Sequence, residues 1–149
     1  MEKRIVVVVV AFLFAQASAY AQTTDLGVVI GGTPQDVQAA IDKGADVNAR
    51  SGSETPLILA AWHNPNPDVI TTLLRAGADI EARDLVYGGT ALQWAAGWNP
   101  NPEVITTLLR AGADGKAKSN EGKTAFDYAQ YNEKLKGTAA LRQLQEASQ

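Results

Sequence analysis

The sequence is built on a repeating unit of about 34 residues. Residues 64–79 recur as residues 99–114 with a single change, from Asp68 to Glu103. A second motif, in which Thr opens an apolar stretch, occurs three times at spacings of 35 and 34 residues, starting at Thr55, Thr90 and Thr124. Units of this length cannot bury an apolar face alone and become stable by stacking on their neighbours. The repeat therefore predicts a stack of small units, an architecture that usually binds other molecules rather than transforming them.

Each unit is predicted to contain two helices joined by a turn. Thr55 can accept a hydrogen bond from a free N–H group at the start of the first helix, and Pro56 suits its first position. The helix must end before Asn64, because a residue that precedes proline avoids the α conformation. Asn66 and Pro67 repeat the starting pattern for the second helix. The Asn-Pro-Asn-Pro segment therefore predicts the end of one helix and the start of the next.

Apolar residues at helical spacing predict the buried faces of these helices. In the second unit the predicted core positions are Leu57, Ala60, Ala61, Val69, Ile70, Leu73 and Leu74. Gly77 is predicted to end the second helix in the left-handed conformation. The carboxylates Asp68 and Glu103 take the same position in successive units, so we interpret them as helix-start residues rather than as a catalytic pair.

Residues 1–21 have the order of a secretory signal peptide. A short positive stretch precedes an unbroken apolar run over residues 5–15, and small residues follow over residues 17–21. We predict cleavage after Ala19 or Ala21. The alternative, a membrane anchor, is disfavoured because a helix that spans a bilayer needs about 20 apolar residues. The mature chain is therefore predicted to be periplasmic or secreted.

Composition limits the partners of the mature chain. The sequence contains no cysteine, so neither a disulfide framework nor a lipid-attachment cysteine is expected. Once Glu2, Lys3 and Arg4 are removed with the leader, 11 basic and 15 acidic residues remain, a net charge of −4. No run of Lys or Arg forms a basic patch. We therefore expect no binding to nucleic acid and, after cleavage, none to a membrane.

The motifs resemble those of ankyrin repeats. Residues 55–61 read Thr-Pro-Leu-Ile-Leu-Ala-Ala, and residues 69–79 carry Val-Ile-x-x-Leu-Leu-x-x-Gly-Ala-Asp. The repeat length is also close to the family's period of about 33 residues. The resemblance covers residues 33–147 and implies an all-α ankyrin repeat solenoid of about four helix-turn-helix units with β-turn loops. Together with the leader, it is a resemblance to ankyrin repeat proteins of the exported bacterial type.

The resemblance also implies a domain organisation. A signal peptide over residues 1–21 precedes an ankyrin repeat domain over residues 22–149. Within the domain we predict an N-terminal cap, two full repeats and a C-terminal cap, at residues 24–54, 55–89, 90–123 and 124–149. The first helix, around residues 26–31, is predicted to be weak because it holds glycines and β-branched residues. The last helix is predicted near residues 138–147.

The sequence departs from the family pattern at two kinds of position. The family commonly has a histidine after Thr-Pro-Leu, and the hydrogen bonds of that histidine are not expected here because its positions hold Ile58, Gln93 and Asp127. Gly115 stands where Val47 and Ile80 anchor the preceding loops. We therefore predict that the last loop is looser than the others.

Partners of ankyrin repeat proteins usually meet the tips of the β-turn loops and the exposed ends of the first helices. Transferred onto this sequence, the resemblance gives seven candidate partner-binding residues: Trp62, His63, Leu85, Val86, Tyr87, Trp98 and Tyr131. Residues 85–87 are the most unusual loop tip, because three large side chains stand where polar residues are expected. Aromatic and aliphatic side chains that are exposed together are typical of protein interfaces.

An alternative interpretation makes the same large residues structural. In it, the tryptophans pack under the proline loops, and Leu85 and Val86 fold onto the next loop. Trp94 takes the position that Leu59 has in the preceding unit, and we predict that it lies in the core. The two interpretations differ in how far the other two tryptophans are exposed.

No residue pattern indicates catalysis. The sequence offers no glycine-rich phosphate loop, no Ser–His–Asp arrangement and no thiol nucleophile. His63 is the only histidine, and one histidine with Asp68 is too small a ligand set for a metal site. We therefore predict a protein that is not an enzyme and that has neither a metal nor a cofactor.

The sequence predicts a monomeric, exported module that binds another protein. Rigid stacked helices present a pre-ordered surface, so little conformational entropy is lost on binding. The alternative function is a structural accessory that stabilises a co-exported periplasmic enzyme, for example in stress defence. A constitutive complex should leave a larger apolar patch and co-purify, whereas a transient adaptor should be a well-behaved monomer.

Overall fold

The computed structural model describes residues 27–149, and the predicted signal peptide lies outside this part of the chain. Residues 27–149 form eight α-helices and one short 3₁₀ helix. In chain order they are α1 (Gly27–Gly31), α2 (Pro34–Asp42), α3 (Pro56–His63), α4 (Pro67–Arg75), α5 (Ala91–Trp98), α6 (Pro102–Arg110), α7 (Ala125–Ala129), the 3₁₀ helix (Glu133–Leu135) and α8 (Ala139–Ala147).

The helices stack in two layers. The inner layer consists of α1, α3, α5 and α7, each of which contacts the next, and α2, α4, α6 and α8 form the outer layer in the same way. Within residues 27–149, strand pairing is confined to two isolated bridges in the loops, Ser51 with Glu54 and Arg83 with Thr90. The predicted all-α repeat solenoid is confirmed.

Capping residues set the helix boundaries in the second unit. Thr55 Oγ1 accepts a hydrogen bond from Ile58 N at 3.4 Å, and Asn66 Oδ1 accepts one from Asp68 N at 3.0 Å. Gly77 has a φ of 94°, in the left-handed region. The predicted start of α3, and the predicted start and end of α4, are therefore confirmed.

The end units are less regular than the two central ones. Helix α1 forms in spite of its glycines, but it is only 5 residues long. Helix α7 is equally short, and the 3₁₀ helix follows it. Helix α8 starts after Thr138, whose hydroxyl accepts a hydrogen bond from Leu141 N at 3.3 Å, and it ends at Ala147, close to the predicted range.

One continuous core runs through the stack from Val29 to Leu144. Most of the predicted core positions in the second unit are buried, and Val69 and Ile70 are fully so. Leu74 differs from the prediction, because it packs against the edge of the core and is only partly buried. Burial of these faces fixes each unit on its neighbour and so fixes the inner-layer helices that carry the site.

The last loop is more tightly packed than the sequence predicts. Gly115 is buried, and a Cβ at this position would lie 2.5 Å from the Cβ of Ala147 in α8. Helix α8 thus approaches the loop backbone too closely for any side chain, which is why glycine stands here. The prediction of a looser loop is wrong because the final helix covers it.

Three buried asparagines join successive units. Asn99 Nδ2 donates to the backbone oxygens of Ala61 at 2.8 Å and Asn64 at 3.0 Å, both in the preceding unit. Asn64 donates an equivalent pair of hydrogen bonds to the first unit, and Asn132 donates an equivalent pair to the third unit. The two Asn-Pro segments therefore connect units as well as ending helices, and Asn132 makes the connection at the last junction.

Candidate functional site

A column of aromatic rings that pack against one another runs across the inner layer. Trp62 at the end of α3 lies 4.4 Å from Trp94 in α5, measured between ring centroids. Trp94 lies 4.9 Å from Trp98, one turn further along α5, and Trp98 lies 5.7 Å from Tyr128 in α7. His63 stacks on Trp62 at 4.3 Å. Three successive units therefore contribute to one aromatic surface.

The column forms one wall of a concave pocket of about 640 Å³. We call it the aromatic pocket, and the rings that line it are Trp62, Tyr87, Trp94, Trp98, Tyr128 and Tyr131. The rest of its lining consists of Gly89, Gln93, Gly97, Glu121 and Lys123. Pockets of roughly 300–1,000 Å³ lined by aromatic side chains are typical of ligand sites.

Asp84 shapes the loop beside the pocket. Its Oδ1 accepts hydrogen bonds from the backbone N–H groups of Val86 at 2.9 Å and Tyr87 at 2.6 Å. Its Oδ2 accepts from Gly89 N at 2.7 Å and from the Trp94 indole N–H at 3.0 Å. Burial favours the protonated form of the carboxyl, but these four bonds outweigh it and lower the pKa of Asp84 below its ordinary value. One carboxylate thus holds both the loop and the central ring.

Gln93 links the floor of the pocket to the next loop. Its side-chain oxygen accepts a hydrogen bond from Thr90 N at 2.9 Å and completes a capping box with that residue. Its amide nitrogen donates to Ala117 O at 2.8 Å and to Lys123 O at 2.9 Å. Gln93 takes the position of the family's histidine, so the expectation that hydrogen bonds are missing at this position is wrong in this unit, where an amide supplies them.

An ion pair forms part of the pocket rim. Lys123 Nζ lies 2.9 Å from Glu121 Oε2 and 5.6 Å from the centroid of the Tyr128 ring. The hydrogen bond to Glu121 and the charge of that residue raise the pKa of Lys123 above its ordinary value. The two charges balance each other, and Lys123 already occupies a position over an aromatic ring.

The structure brings together four of the seven predicted partner-binding residues. Trp62, Tyr87, Trp98 and Tyr131 line the aromatic pocket, with Trp62 half-buried, Trp98 52% exposed and Tyr131 78% exposed. His63 does not line it and stacks behind Trp62. Trp94 is 7% exposed, in agreement with its predicted core position, yet it also contributes to the pocket wall.

Leu85 and Val86 project from the loop tip next to the pocket. Their side chains are 67% and 60% exposed. The loop backbone is held on both sides, because Leu85 N donates to Ser53 O at 3.2 Å and Asn120 N donates to Tyr87 O at 2.8 Å. The tip thus presents exposed aliphatic side chains on a backbone that is fixed between its two neighbours.

Sequence reasoning missed the residues that organise the pocket. Asp84 was not recognised, although an aspartate at the start of a Gly-Gly loop is typical of a turn in which the side chain binds the following N–H groups. Tyr128 was also missed, although it is the equivalent of Trp94 in the next unit. The pairing of Asp84 with Trp94 recurs as that of Ser119 with Tyr128, whose oxygens lie 2.8 Å apart. Comparison of the two units was the available signal.

The part of the chain that the structure describes holds neither a cluster of metal ligands nor a helix that could span a membrane. Among residues 27–149, no group of three or more His, Cys, Asp or Glu side chains is placed to hold a metal ion. No helix within the same range has the length and apolar character needed to cross a membrane.

Comparison with known proteins identifies the repeats. The family model of the ankyrin repeat matches residues 53–85 and residues 87–120, while a search of curated proteins finds no match. Together with the stacked helix pairs, these two matches show that residues 53–120 are similar to ankyrin repeats. Ankyrin repeats generally mediate protein–protein interaction, and a protein is the class of partner that they suggest for this chain.

Proposed function

We propose that this protein is an exported, non-catalytic ankyrin repeat module that binds another protein through its concave face and β-turn tips. The binding residues in this proposal are those predicted from the sequence, together with the rings that complete the aromatic pocket. The module works without chemistry of its own, by offering a surface whose shape is fixed before the partner arrives.

The distribution of exposed apolar side chains carries the proposal. Of the six large apolar residues exposed in residues 27–149, five belong to the pocket or to the loop tip beside it: Leu85, Val86, Tyr87, Trp98 and Tyr131. Exposed apolar side chains scattered singly need no explanation, whereas a concentration of this kind is typical of an interface. Tyr and Trp are also the residues that most often dominate binding energy.

The rigidity of the surface supports the same function. The loop tip is bonded to both neighbouring loops, and the asparagine bonds couple the units that carry the rings. Side chains that are already ordered lose less entropy on binding, each saving being about 0.5–1.5 kcal/mol. A pre-ordered face therefore loses little binding free energy to the ordering of its own side chains.

Export of the mature chain, as a monomer, to the periplasm or the medium is part of the proposal. Its basis is the order of charge, apolar run and small residues over residues 1–21. The test is the N-terminal sequence of the protein recovered from the host's envelope fraction and medium. We expect it to begin at Tyr20 or Gln22, and an intact Met1 would refute the leader.

Affinity capture from the native host tests the binding function. The tagged chain is compared with a face variant that combines Trp62→Ala, Trp98→Ala and Leu85→Ala, and bound proteins are read by mass spectrometry. The matched control combines Arg75→Ala and Arg110→Ala, two exposed positions at the ends of outer-layer helices. We expect one partner to be retained by the wild type and the control and lost by the face variant, while circular dichroism shows equal helicity.

Two other outcomes would change the proposal. Identical partners on all three chains would exclude this face as the binding surface, and no specific partner on any chain would exclude the binding function. If the partner is an exported enzyme that decays faster when this protein is deleted from the host, the module acts as a structural accessory that stabilises it.

A further inference from the structure

We propose that the aromatic pocket receives an uncharged aromatic side chain of the protein partner, with the partner's backbone lying beside the exposed loop tip. This inference rests on the proposed function and adds to it the chemistry of the partner. Three features of the pocket select this occupant: the packing of its rings against one another, the charge balance of its rim, and the hydrogen bonds already made inside it.

The rings of the column present an aromatic surface to a ligand. Trp94 lies between Trp62 and Trp98, at 4.4 and 4.9 Å between centroids and at 30° and 36° between ring planes, and Tyr128 packs on Trp98 at 5.7 Å and 40°. Aromatic rings attract one another in offset or edge-to-face arrangements, in which the positive edge of one ring meets the negative face of the other. Tyr87 already packs on Trp94 edge to face, at 67° and 6.0 Å. An incoming aromatic side chain makes the same kind of contact.

The rim disfavours a charged ligand of either sign. A cation would compete with Lys123 for the Tyr128 ring and for the Glu121 carboxylate, at positions that Lys123 holds at 5.6 and 2.9 Å. An anion would have to approach Glu121 and break the same ion pair to reach Lys123. An uncharged side chain leaves the pair intact, so the charge balance of the rim favours a neutral occupant.

The polar groups deep in the pocket are already bonded. Gln93 Nε2 donates to two backbone oxygens, and Trp94 Nε1 donates to Asp84. Within residues 27–149, no buried side-chain nitrogen or oxygen lacks a hydrogen-bond partner. A ligand rich in hydroxyl groups, such as a sugar, would give up bonds to water without finding a free partner among these deep groups. The carbon face of an aromatic ring gives up none, and a pocket of about 640 Å³ has room for the backbone on either side of it.

A substitution that fills the pocket tests the proposal without removing a ring. Gly97 lies in α5 on the pocket wall, and a Cβ there would make an ordinary contact at 3.6 Å with the Cβ of Tyr128. Gly97→Met should therefore fold while its side chain takes up the space of the partner's ring. Gly31→Met in α1 is the matched control, because nothing lies within 4 Å of a Cβ at that position.

The probe is a phage-displayed library of random peptides selected on the wild-type protein. We expect the selected peptides to share a Trp, Tyr or Phe whose replacement by Ala or Lys weakens binding at least about tenfold. Gly97→Met should weaken the same peptides at least about tenfold, and Gly31→Met should change their affinity less than about twofold. If Gly97→Met fails to fold, Trp98→Ala takes its place with the same expected loss, because that ring is half exposed.

Three results would overturn the proposal. Selected peptides that share Lys or Arg would mean that the pocket takes a cation in spite of Lys123. Peptides without a common residue, or peptides that bind Gly97→Met like the wild type, would mean that the pocket is not the docking site. The captured partner separates the protein-binding function from the role of the pocket. If it binds Gly97→Met and wild type equally, the chain binds a protein, but not through the aromatic pocket.

Discussion

At the residue scale, Asp84 connects the loop tip to the aromatic pocket. It is 3% exposed, and its two oxygens accept four hydrogen bonds, three from loop N–H groups and one from the Trp94 indole. Two N–H groups share each oxygen, so neither oxygen can be replaced by a donor without leaving buried groups unpaired. The exposed position of the loop tip and the orientation of the central ring therefore depend on the same carboxylate.

Replacing Asp84 by Asn should destabilise the protein by about 2–4 kcal/mol, because the new amide group presents donors to N–H groups that need an acceptor. Urea unfolding followed by circular dichroism measures the change. Asp68→Asn is the control, since Asp68 is an exposed helix-start residue whose loss should cost less than about 1 kcal/mol. Equal stability losses in the two variants would contradict the role given to Asp84.

The contribution of Asp84 should depend on pH. Its pKa is lower in the folded protein than in the unfolded chain, where an aspartate has a pKa of about 3.9. The carboxylate therefore stabilises the fold fully above that value and loses its effect as pH falls towards the folded-state pKa. The stability difference between wild type and Asp84→Asn should be constant from pH 7 to about 5 and shrink below about 4. A difference that grows on acidification would contradict this assignment.

The identities of the pocket residues were easier to predict from the sequence than the hydrogen bonds that they make. The family resemblance was enough to select Trp62, Trp98 and Tyr131, since equivalent positions at the ends of stacked helices face the same side. The bond between Asp84 and Trp94 was not predicted, because it depends on the path of a loop that is longer than its counterparts. The geometry of such a side chain depends on how the neighbouring units are positioned relative to one another, which cannot be derived from the sequence.

At the element scale, the segments between the two helices of each unit carry the connections between units. Asn99 is fully buried and donates to two carbonyl groups of the preceding unit, while its oxygen accepts from Asn101 N at 2.9 Å. All the hydrogen-bonding capacity that faces the stack is used. The turn is therefore rigid, and the exposed rings at the end of α5 start from a fixed position.

Asn99→Asp should cost at least about 3 kcal/mol, because a buried carboxylate would face two carbonyl oxygens and lose both donated bonds. The same substitution at Asn101 is the control. Asn101 caps α6, a task that Asp performs equally well, and it would lose one bond, to Pro65 O at 2.7 Å. Urea denaturation should show a loss of about 1 kcal/mol or less for Asn101→Asp, and the reverse order would refute the buried connection.

Helix limits were predictable because proline and capping rules act over a few residues. The Asn-Pro-Asn-Pro segment gave the end of α3 and the start of α4 correctly. The same segment gave no sign that Asn64 and Asn99 reach into neighbouring units, since this depends on the spacing of the stacked layers. The prediction of a loose loop at Gly115 was wrong for a related reason. A glycine can also mark the close approach of a helix, here at Ala147, 32 residues further on.

At the scale of the whole molecule, the binding face exists only when the stack is intact. The aromatic column takes rings from α3, α5 and α7, and one core runs through all the units that the structure describes. Repeat proteins gain stability from nearest-neighbour interfaces, so strong interfaces make the array unfold as one unit. The repeat period predicted this architecture because units of this length become stable only by stacking. The pocket was not predicted, because it depends on which rings meet across the units.

Tryptophan fluorescence and far-UV circular dichroism should therefore give the same midpoint of urea unfolding, since the rings report on the central units and helicity reports on all of them. Asn99→Asp weakens the junction between two central units and should separate the two midpoints. Midpoints that differ in the wild type would show that the central units unfold independently, which would contradict a single coupled stack.

The response of the tryptophan indole N–H groups to the captured partner tests the account most directly. The chain has 3 tryptophans, so a nitrogen–proton correlation spectrum shows one indole signal for each of Trp62, Trp94 and Trp98. We predict that the signals of Trp62 and Trp98 shift with increasing partner and reach saturation. Partner binding that is visible at backbone amides elsewhere, with all the indole signals unmoved, would contradict the claim that the aromatic pocket is the binding site.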